Sequence, residues 1–159
     1  MDEKTTRKNL IDKALQSAGW SPIVRYLHGA SYDTAAVEEY ETTEGPADYI
    51  LFHRGDALGA VEAKKLSLGP QNVLSQAQRY ARGFHGGRFS FHGFRLPFVY
   101  STNGEIIWFR DYESPEFLLT FSNERREATD PAHVRLGSAE GPHGKVLKIH
   151  HWMVEYLPR

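Results

Sequence analysis

Three residues in the first half of the chain have the types and spacing for phosphoryl chemistry. They are Asp48, Glu62 and Lys64, which form the pattern D-x13-E-x-K in DYILFHRGDALGAVEAK. Two carboxylates held close together repel, and one is driven toward its protonated form unless a cation sits between them. Magnesium meets that need: it takes oxygen ligands, usually one or two carboxylates with waters and a substrate phosphate. Manganese can substitute for it. The carbonyl of Ala63 would supply a third protein oxygen. Lys64 would orient or help deprotonate the attacking nucleophile and offset charge in the transition state. Such a set suits hydrolysis of phosphodiesters. The competing reading is a solvated cross-strand acid–lysine pair, because short spacings of this kind recur by chance. The setting speaks against it, since charges flanking two apolar strands need a reason to be there.

The elements that must position these residues can be read from periodicity. Residues 47–52 and 57–64 read as strands joined by HRGD, a glycine-containing hairpin connection. Side chains alternate along a strand, so Glu62 and Lys64 share a face while Val61, Ala63 and Lys65 take the other. Folding about residues 54–56 brings Asp48 alongside Glu62. DYILF is apolar on both faces, as a buried central strand should be. Before it, Val37, Glu39 and Glu41 alternate with Glu38 and Tyr40 as another strand, and TEGP is a turn. The N-terminal stretch TTRKNLIDKALQSAGW reads as a helix with Leu10, Ile11, Ala14, Leu15 and Ala18 on one face, Thr5 or Thr6 as its cap and Gly19 as its end.

After the breaker LSLGP, QNVLSQAQRYARGF reads as a second helix carrying Val73, Ala77, Tyr80, Ala81 and Phe84 on one side. FVYSTNGEIIWFRD is a second hairpin with an Asn-Gly turn. The last segment, KVLKIHHWMVEYLPR, reads as a helix, or as a strand followed by a short helix. Helices around a mixed sheet follow, and adjacent antiparallel hairpins exclude a purely parallel, doubly wound one.

The bulk properties bound the function. The chain has 159 residues, which suits one domain, and its 40% apolar and 25% charged content is that of a globular protein. The net charge of −1 gives no wholesale attraction to nucleic acid, so any such binding must come from a local patch. One candidate patch is Arg79, Arg82, His85, Arg88, His92 and Arg95, interleaved with phenylalanines. The absence of cysteine removes disulfides and thiolate metal sites. The charged first residues are no signal peptide and no apolar run suits a membrane span, so a cytoplasmic location with no membrane partner is expected. The histidines lack the partners of a zinc site, no Gly-x-Ser-x-Gly elbow occurs, and neither does a G-x4-G-K-[ST] phosphate loop.

ADYILF and AVEAKK together resemble the catalytic core of PD-(D/E)XK nucleases. With TRKNLIDKALQSAGW before them, QAQRYA after them and LPFVYSTNGEIIWFRD as the second hairpin, the wider pattern resembles the N-terminal nuclease domain of type I restriction enzyme R subunits. The match runs through most of residues 5–111, and it departs from the usual pattern in having Pro46 and Ala47, not a direct proline, before Asp48.

The resemblance implies an α/β fold with a restriction-endonuclease-like mixed sheet flanked by helices. It implies a single nuclease domain over 1–159, with a family-like core at 1–113 and an extension of unassigned role at 114–159. Asp48 and Glu62 would bind metal and Lys64 would be catalytic. Gln76 and Tyr80, four apart on a helix and so on one face, match a Q-x3-Y motif that positions DNA or the active-site groups. Glu3 is an accessory acid by its place in the first helix. DNA contacts would fall to Gln76, Arg79, Tyr80, Arg82 and Arg88.

The expected partners are double-stranded DNA, modification and specificity subunits, and a translocase domain through which alone ATP would enter. The expected activity is DNA cleavage with little sequence preference. The alternative is a catalytically silent nuclease-like module that binds DNA or docks subunits. Since the chain stops at Arg159 without a motor, it is expected to be a fragment or a standalone relative.

Overall fold

The computed structural model describes residues 2–17, 19–65, 67, 74–90, 93–104, 106–111, 118–122, 140–141, 145–150 and 153–158, with the segments from 106 onward described as backbone. The chain opens with a helix in three consecutive parts: α1 (Glu3–Thr6), a π-helical segment (Arg7–Ile11) and α2 (Asp12–Ser17). Its cap is Asp2, whose carboxylate accepts from Thr5 N–H at 2.7 Å, in place of the expected Thr5 or Thr6. The end comes where expected. Gly19 has φ 95°, its N–H reaches Gln16 O, and Trp20 N–H reaches Leu15 O, the crossed pair of bonds that closes a helix on a left-handed glycine.

Seven strands then build one mixed sheet in chain order: β1 (Ile23–Arg25), β2 (Ala35–Thr42), β3 (Gly45–His53), β4 (Asp56–Ala63), β5 (Phe98–Thr102), β6 (Ile106–Asp111) and β7 (Leu118–Ser122). β1–β2 and β4–β5 are parallel and the other neighbours antiparallel. Helix α3 (Leu74–Gly83) lies in the crossover between β4 and β5. Its first expected turn, 71–73, lies outside the described residues. β1, three residues long, is an element that periodicity did not announce. At the chain end, β8 (Glu140–Gly141), β9 (Lys145–His150) and β10 (Met153–Pro158) form a small antiparallel sheet, so 153–158 is a strand rather than the expected helix.

The core has two layers, one on each side of the sheet. Ile11, Ala14 and Leu15 of the first helix pack on Tyr49, Leu51, Val61 and Tyr100. Ala77, Tyr80 and Ala81 of α3 pack on Ile50, Ala60 and Val99. β3 is therefore apolar on both faces because both are covered.

The β3–β4 turn carries two left-handed residues, Arg54 (φ 51°) and Gly55 (φ 84°), the geometry of a tight two-residue hairpin. From that turn the register runs His53↔Asp56 and Phe52↔Ala57, then shifts at Leu51↔Gly59. Leu58 is the extra residue of a β-bulge. The shift has a direct consequence. An unbroken hairpin would set Asp48 across from Val61, whereas the bulged one pairs Tyr49 with Val61 and so sets Asp48 across from Glu62.

Candidate active site at the open end of the β3–β4 hairpin

Asp48 stands near the start of β3 and Glu62 one residue from the end of β4, so strand pairing alone makes them neighbours. Asp48 Oδ2 accepts the Ala63 N–H at 2.7 Å, fastening the carboxylate to the last residue of β4. Ladder geometry sends a residue's N–H and C=O to the same side, so the Ala63 carbonyl also projects toward the β3 side. Glu62 is buried at 2% exposure, and its Oε1 accepts from Lys64 Nζ at 2.8 Å. Its Oε2 is buried and has no hydrogen-bond partner.

The electrostatics follow from that geometry. Burial, then the charge of Asp48, pushes the Glu62 carboxyl up to about 7, against the pull of Lys64. Burial also raises Asp48, against the Ala63 N–H and the Arg7 charge. Burial lowers Lys64 more than any other single influence, but its bond to Glu62 and the charges of Glu62, Glu3 and Asp48 together outweigh burial and raise it.

Helix α3 supplies a second wall. Gln76 Nε2 donates to the Tyr80 hydroxyl at 2.9 Å, one turn along. Burial raises the Tyr80 hydroxyl, the charges of Glu62 and Asp48 raise it further, and Gln76 and Lys64 oppose them. Tyr80 thus lies within the field of the acid pair and the lysine. With Gln76 donating to its oxygen, its own proton is left to point at an acceptor.

Among the described residues, no group of three or more His, Asp or Glu side chains is arranged to hold a metal ion. The test is therefore whether two carboxylates suffice. Glu62 Oε2 is a buried, hard ligand oxygen that receives no hydrogen bond and stands beside a second carboxylate, whose charge raises Glu62 even though Lys64 and Arg7 are already paired with the two acids. A small oxygen-seeking ion that keeps most of its shell as water and phosphate fits such a donor set. Glu62, Asp48 and the Ala63 carbonyl would hold it.

The remaining expected residues scatter. Glu3 is half-buried, and its charge raises both Asp48 and Lys64, but none of its described hydrogen bonds reaches the site. Arg79 is exposed on α3, and Arg82 is exposed and stacks on Phe94 at 4.5 Å. Arg88 pairs with Asp56 at 3.0 Å, at the opposite end of β4 from Glu62.

Sequence reasoning missed Arg7. Its Nη1 donates to Glu39 Oε1 at 2.7 Å and to Asp48 Oδ1 at 3.2 Å, and its Nη2 donates to the Asp48 carbonyl at 3.2 Å. The guanidinium lies over the Tyr49 ring at 4.9 Å. Burial works against its charge, yet Glu39, Tyr49 and Asp48 together raise its pKa. Glu39 has φ 53°, a left-handed backbone that costs a residue with a side chain ~1–3 kcal/mol. The signal was present: Arg7 lies four residues before Ile11, so a cation continues the buried stripe of the first helix.

The fold and the site define a mixed α/β protein with a buried acid pair and a lysine at the end of a bulged hairpin, faced by a glutamine and a tyrosine from a crossover helix. Over residues 24–119, more than half its length, the chain matches the family described as the type I restriction enzyme EcoKI endonuclease subunit second domain, and it belongs to that family. A curated relative, the type I restriction enzyme EcoKI endonuclease subunit of Escherichia coli (strain K12), is 27% identical over 152 residues, covering 64% of this chain. The match takes in 13% of that relative's length. No solved structure matches significantly. No helix among the described residues is long and apolar enough to cross a membrane.

Proposed function

We propose that this chain is a PD-(D/E)XK-type nuclease domain serving a type I restriction system and hydrolysing DNA phosphodiester bonds with magnesium, or manganese in its place. The observation that supports the reading best is the buried Asp48–Glu62 pair, with one oxygen of Glu62 unpartnered and the other held by Lys64. The ion would supply charge neutralisation and Lewis acidity at the phosphate. Asp48, fixed by the Ala63 N–H, would offer the oxygen that Arg7 now holds, and Glu62 would offer Oε2. Lys64 reaches the nucleophile side and offsets charge on the phosphoryl oxygens. Gln76 and Tyr80 orient the DNA strand at the pair, and Arg79 and Arg82 meet flanking phosphates. Target choice, ATP use and the supply of DNA belong to modification, specificity and translocase partners in the cytoplasm.

A second reading, a silent module that binds DNA or docks subunits, draws support from one fact: both oxygens of Asp48 already accept hydrogen bonds within the protein. Manganese separates the two. Under the nuclease reading, Mn2+ raises the Tm of the chain, and nicking of supercoiled plasmid falls ~10²–10⁴-fold in Lys64→Ala while the Tm rise persists. No Tm rise in the wild type removes the metal site. A Lys64→Ala protein that nicks at the wild-type rate removes the lysine from the chemistry. Neutralising Arg79 and Arg82 together should flatten the slope of log affinity against log salt by about 2. An unchanged slope removes those residues from the DNA path.

A further inference from the structure

The Arg7 guanidinium is shared between two carboxylates on neighbouring strands. Glu39 holds it at 2.7 Å and Asp48 at 3.2 Å, through the same nitrogen. The two acids face each other across the β2–β3 ladder. Glu38 pairs with Tyr49 and Tyr40 with Ala47, which leaves Glu39 opposite Asp48 but out of the ladder because its backbone is left-handed. The Arg7 side chain is only 14% exposed. A cation so placed cannot lose its carboxylate to a competitor without either another partner or a way out.

We propose that Glu39 is a positioning residue that lets Asp48 exchange Arg7 for a divalent cation. The inference rests on the metal reading given under Proposed function. A divalent ion taking Asp48 sets its charge beside the guanidinium, and like charges at contact distance repel strongly in a half-buried site. Arg7 must then slacken its bond to Asp48 Oδ1. The shorter bond to Glu39 keeps the guanidinium paired, and Glu38 Oε1, at 3.8 Å from Nη2, is a further acceptor. There is room for the shift. A depression of about 370 Å3 lies beside Arg7, lined by the acids Glu3, Glu38 and Glu39 and by the cations Lys4, Lys8 and Arg25. Without an ion, Arg7 neutralises Asp48; with one, Glu39 receives Arg7. Neither residue touches the ion or the DNA.

The test is Mn2+ affinity measured by titration calorimetry on the intact chain, with Tm recorded alongside. In Glu39→Gln the only close carboxylate left to Arg7 Nη1 is Asp48, so Mn2+ should bind about five-fold or more weakly, the lower end of typical coupling between linked events. Removing both charges in Arg7→Met/Glu39→Gln frees Asp48 and should return Mn2+ affinity to the wild-type value or above. Glu39→Asn, a residue suited to the left-handed backbone, should show the same weakening if Glu39→Gln folds poorly. Unchanged affinity in the folded Glu39 variants overturns the exchange, and so does a double variant as weak as the single one. A wild-type chain that binds no Mn2+ overturns the metal reading itself, and this inference with it.

Discussion

The two carboxylates of the site are neighbours in the sheet but live in opposite circumstances. On the side of the first helix, Asp48 is enclosed by donors: the Ala63 N–H on one oxygen, Arg7 on the other, and Arg7 again on its carbonyl. On the α3 side, Glu62 accepts one bond, from Lys64, and its other oxygen is buried without a donor, beside the Asp48 carboxyl. The first wall is satisfied as it stands, with Lys8 pairing Asp12 and Glu38 beside it and the Tyr49 hydroxyl donating to Asp12 at 2.6 Å. The second wall is incomplete. A structural ion-pair network satisfies its members, whereas a binding site leaves some of its groups waiting for a partner. Under the proposed function, the contrast would give Asp48 a double duty, to hold the hairpin end together and to serve as a ligand, and Glu62 the ligand role alone.

The largest test of this contrast is stability without metal. Arg7→Met leaves the Asp48 and Glu39 carboxylates without the cation they share and should destabilise the chain toward the ~3–5 kcal/mol typical of a buried pair losing one partner. Asp48 keeps the Ala63 N–H and, already raised, takes up a proton more readily, so the loss should fall at the lower end. Denaturant unfolding in the presence of a chelator measures it. An unchanged unfolding midpoint would show the Arg7–Asp48 pair to be idle and the two walls to be alike.

Glu62→Gln should act in the other direction. In the metal-free protein the carboxyl of Glu62 is raised to about 7, above the usual carboxylate range of the unfolded chain. Between those values the native state binds more protons than the unfolded state, so stability falls as pH rises through that window. The metal-free wild type should therefore lose Tm between about pH 5 and about pH 8, and Mg2+ should flatten the fall. Glu62→Gln should shed most of the slope and melt a few degrees higher at the alkaline end, since ~1 kcal/mol moves a chain of this size by about 2–4 °C. A slope that survives the substitution would place its source elsewhere, in Asp48 first.

How far this contrast was legible in the sequence depends on the wall. Asp48, Glu62 and Lys64 announce themselves by residue type and by the apolar strands around them, and the stripe of Ile11, Ala14 and Leu15 marks a helix face that the core indeed buries. The means of bringing the acids together was not legible. A two-residue turn at Arg54–Gly55 counts Asp48 onto Val61, and only the bulge at Leu58 moves it onto Glu62. A bulge leaves no clear trace in local propensity, because the residue it displaces is an ordinary leucine. The first wall was hidden for another reason. Arg7 and Glu39 are charged residues in charged surroundings, and only tertiary placement shows that they turn inward. β1 escaped because three residues are too few to display a period, and the last strand because Met153, Glu155 and Leu157 alternate with Val154 and Tyr156 within a stretch that also suits a helix.

The smallest effect should come from the α3 side, and it is the one that tells a working wall from a packed one. Tyr80 is 7% exposed and packs within the second core layer, so a purely structural tyrosine would explain its burial. Its hydroxyl, however, accepts from Gln76 and lies in the field of both acids. Tyr80→Phe keeps the ring and deletes only that oxygen, so packing is conserved and one hydrogen bond, worth about 0.5–1.5 kcal/mol, is lost. If the hydroxyl serves the acid pair, plasmid nicking at saturating Mg2+ should drop several-fold while Tm shifts by no more than a few degrees. Gln76→Ala should reproduce the drop, because the hydroxyl then loses the donor that fixes its orientation. The two losses should not add, since both remove one arrangement. Full additivity in the double variant would mean that Gln76 and Tyr80 act on DNA separately. No loss in either single variant would reduce this wall to core packing, leaving Lys64 the only group on Glu62's side with a part in the reaction.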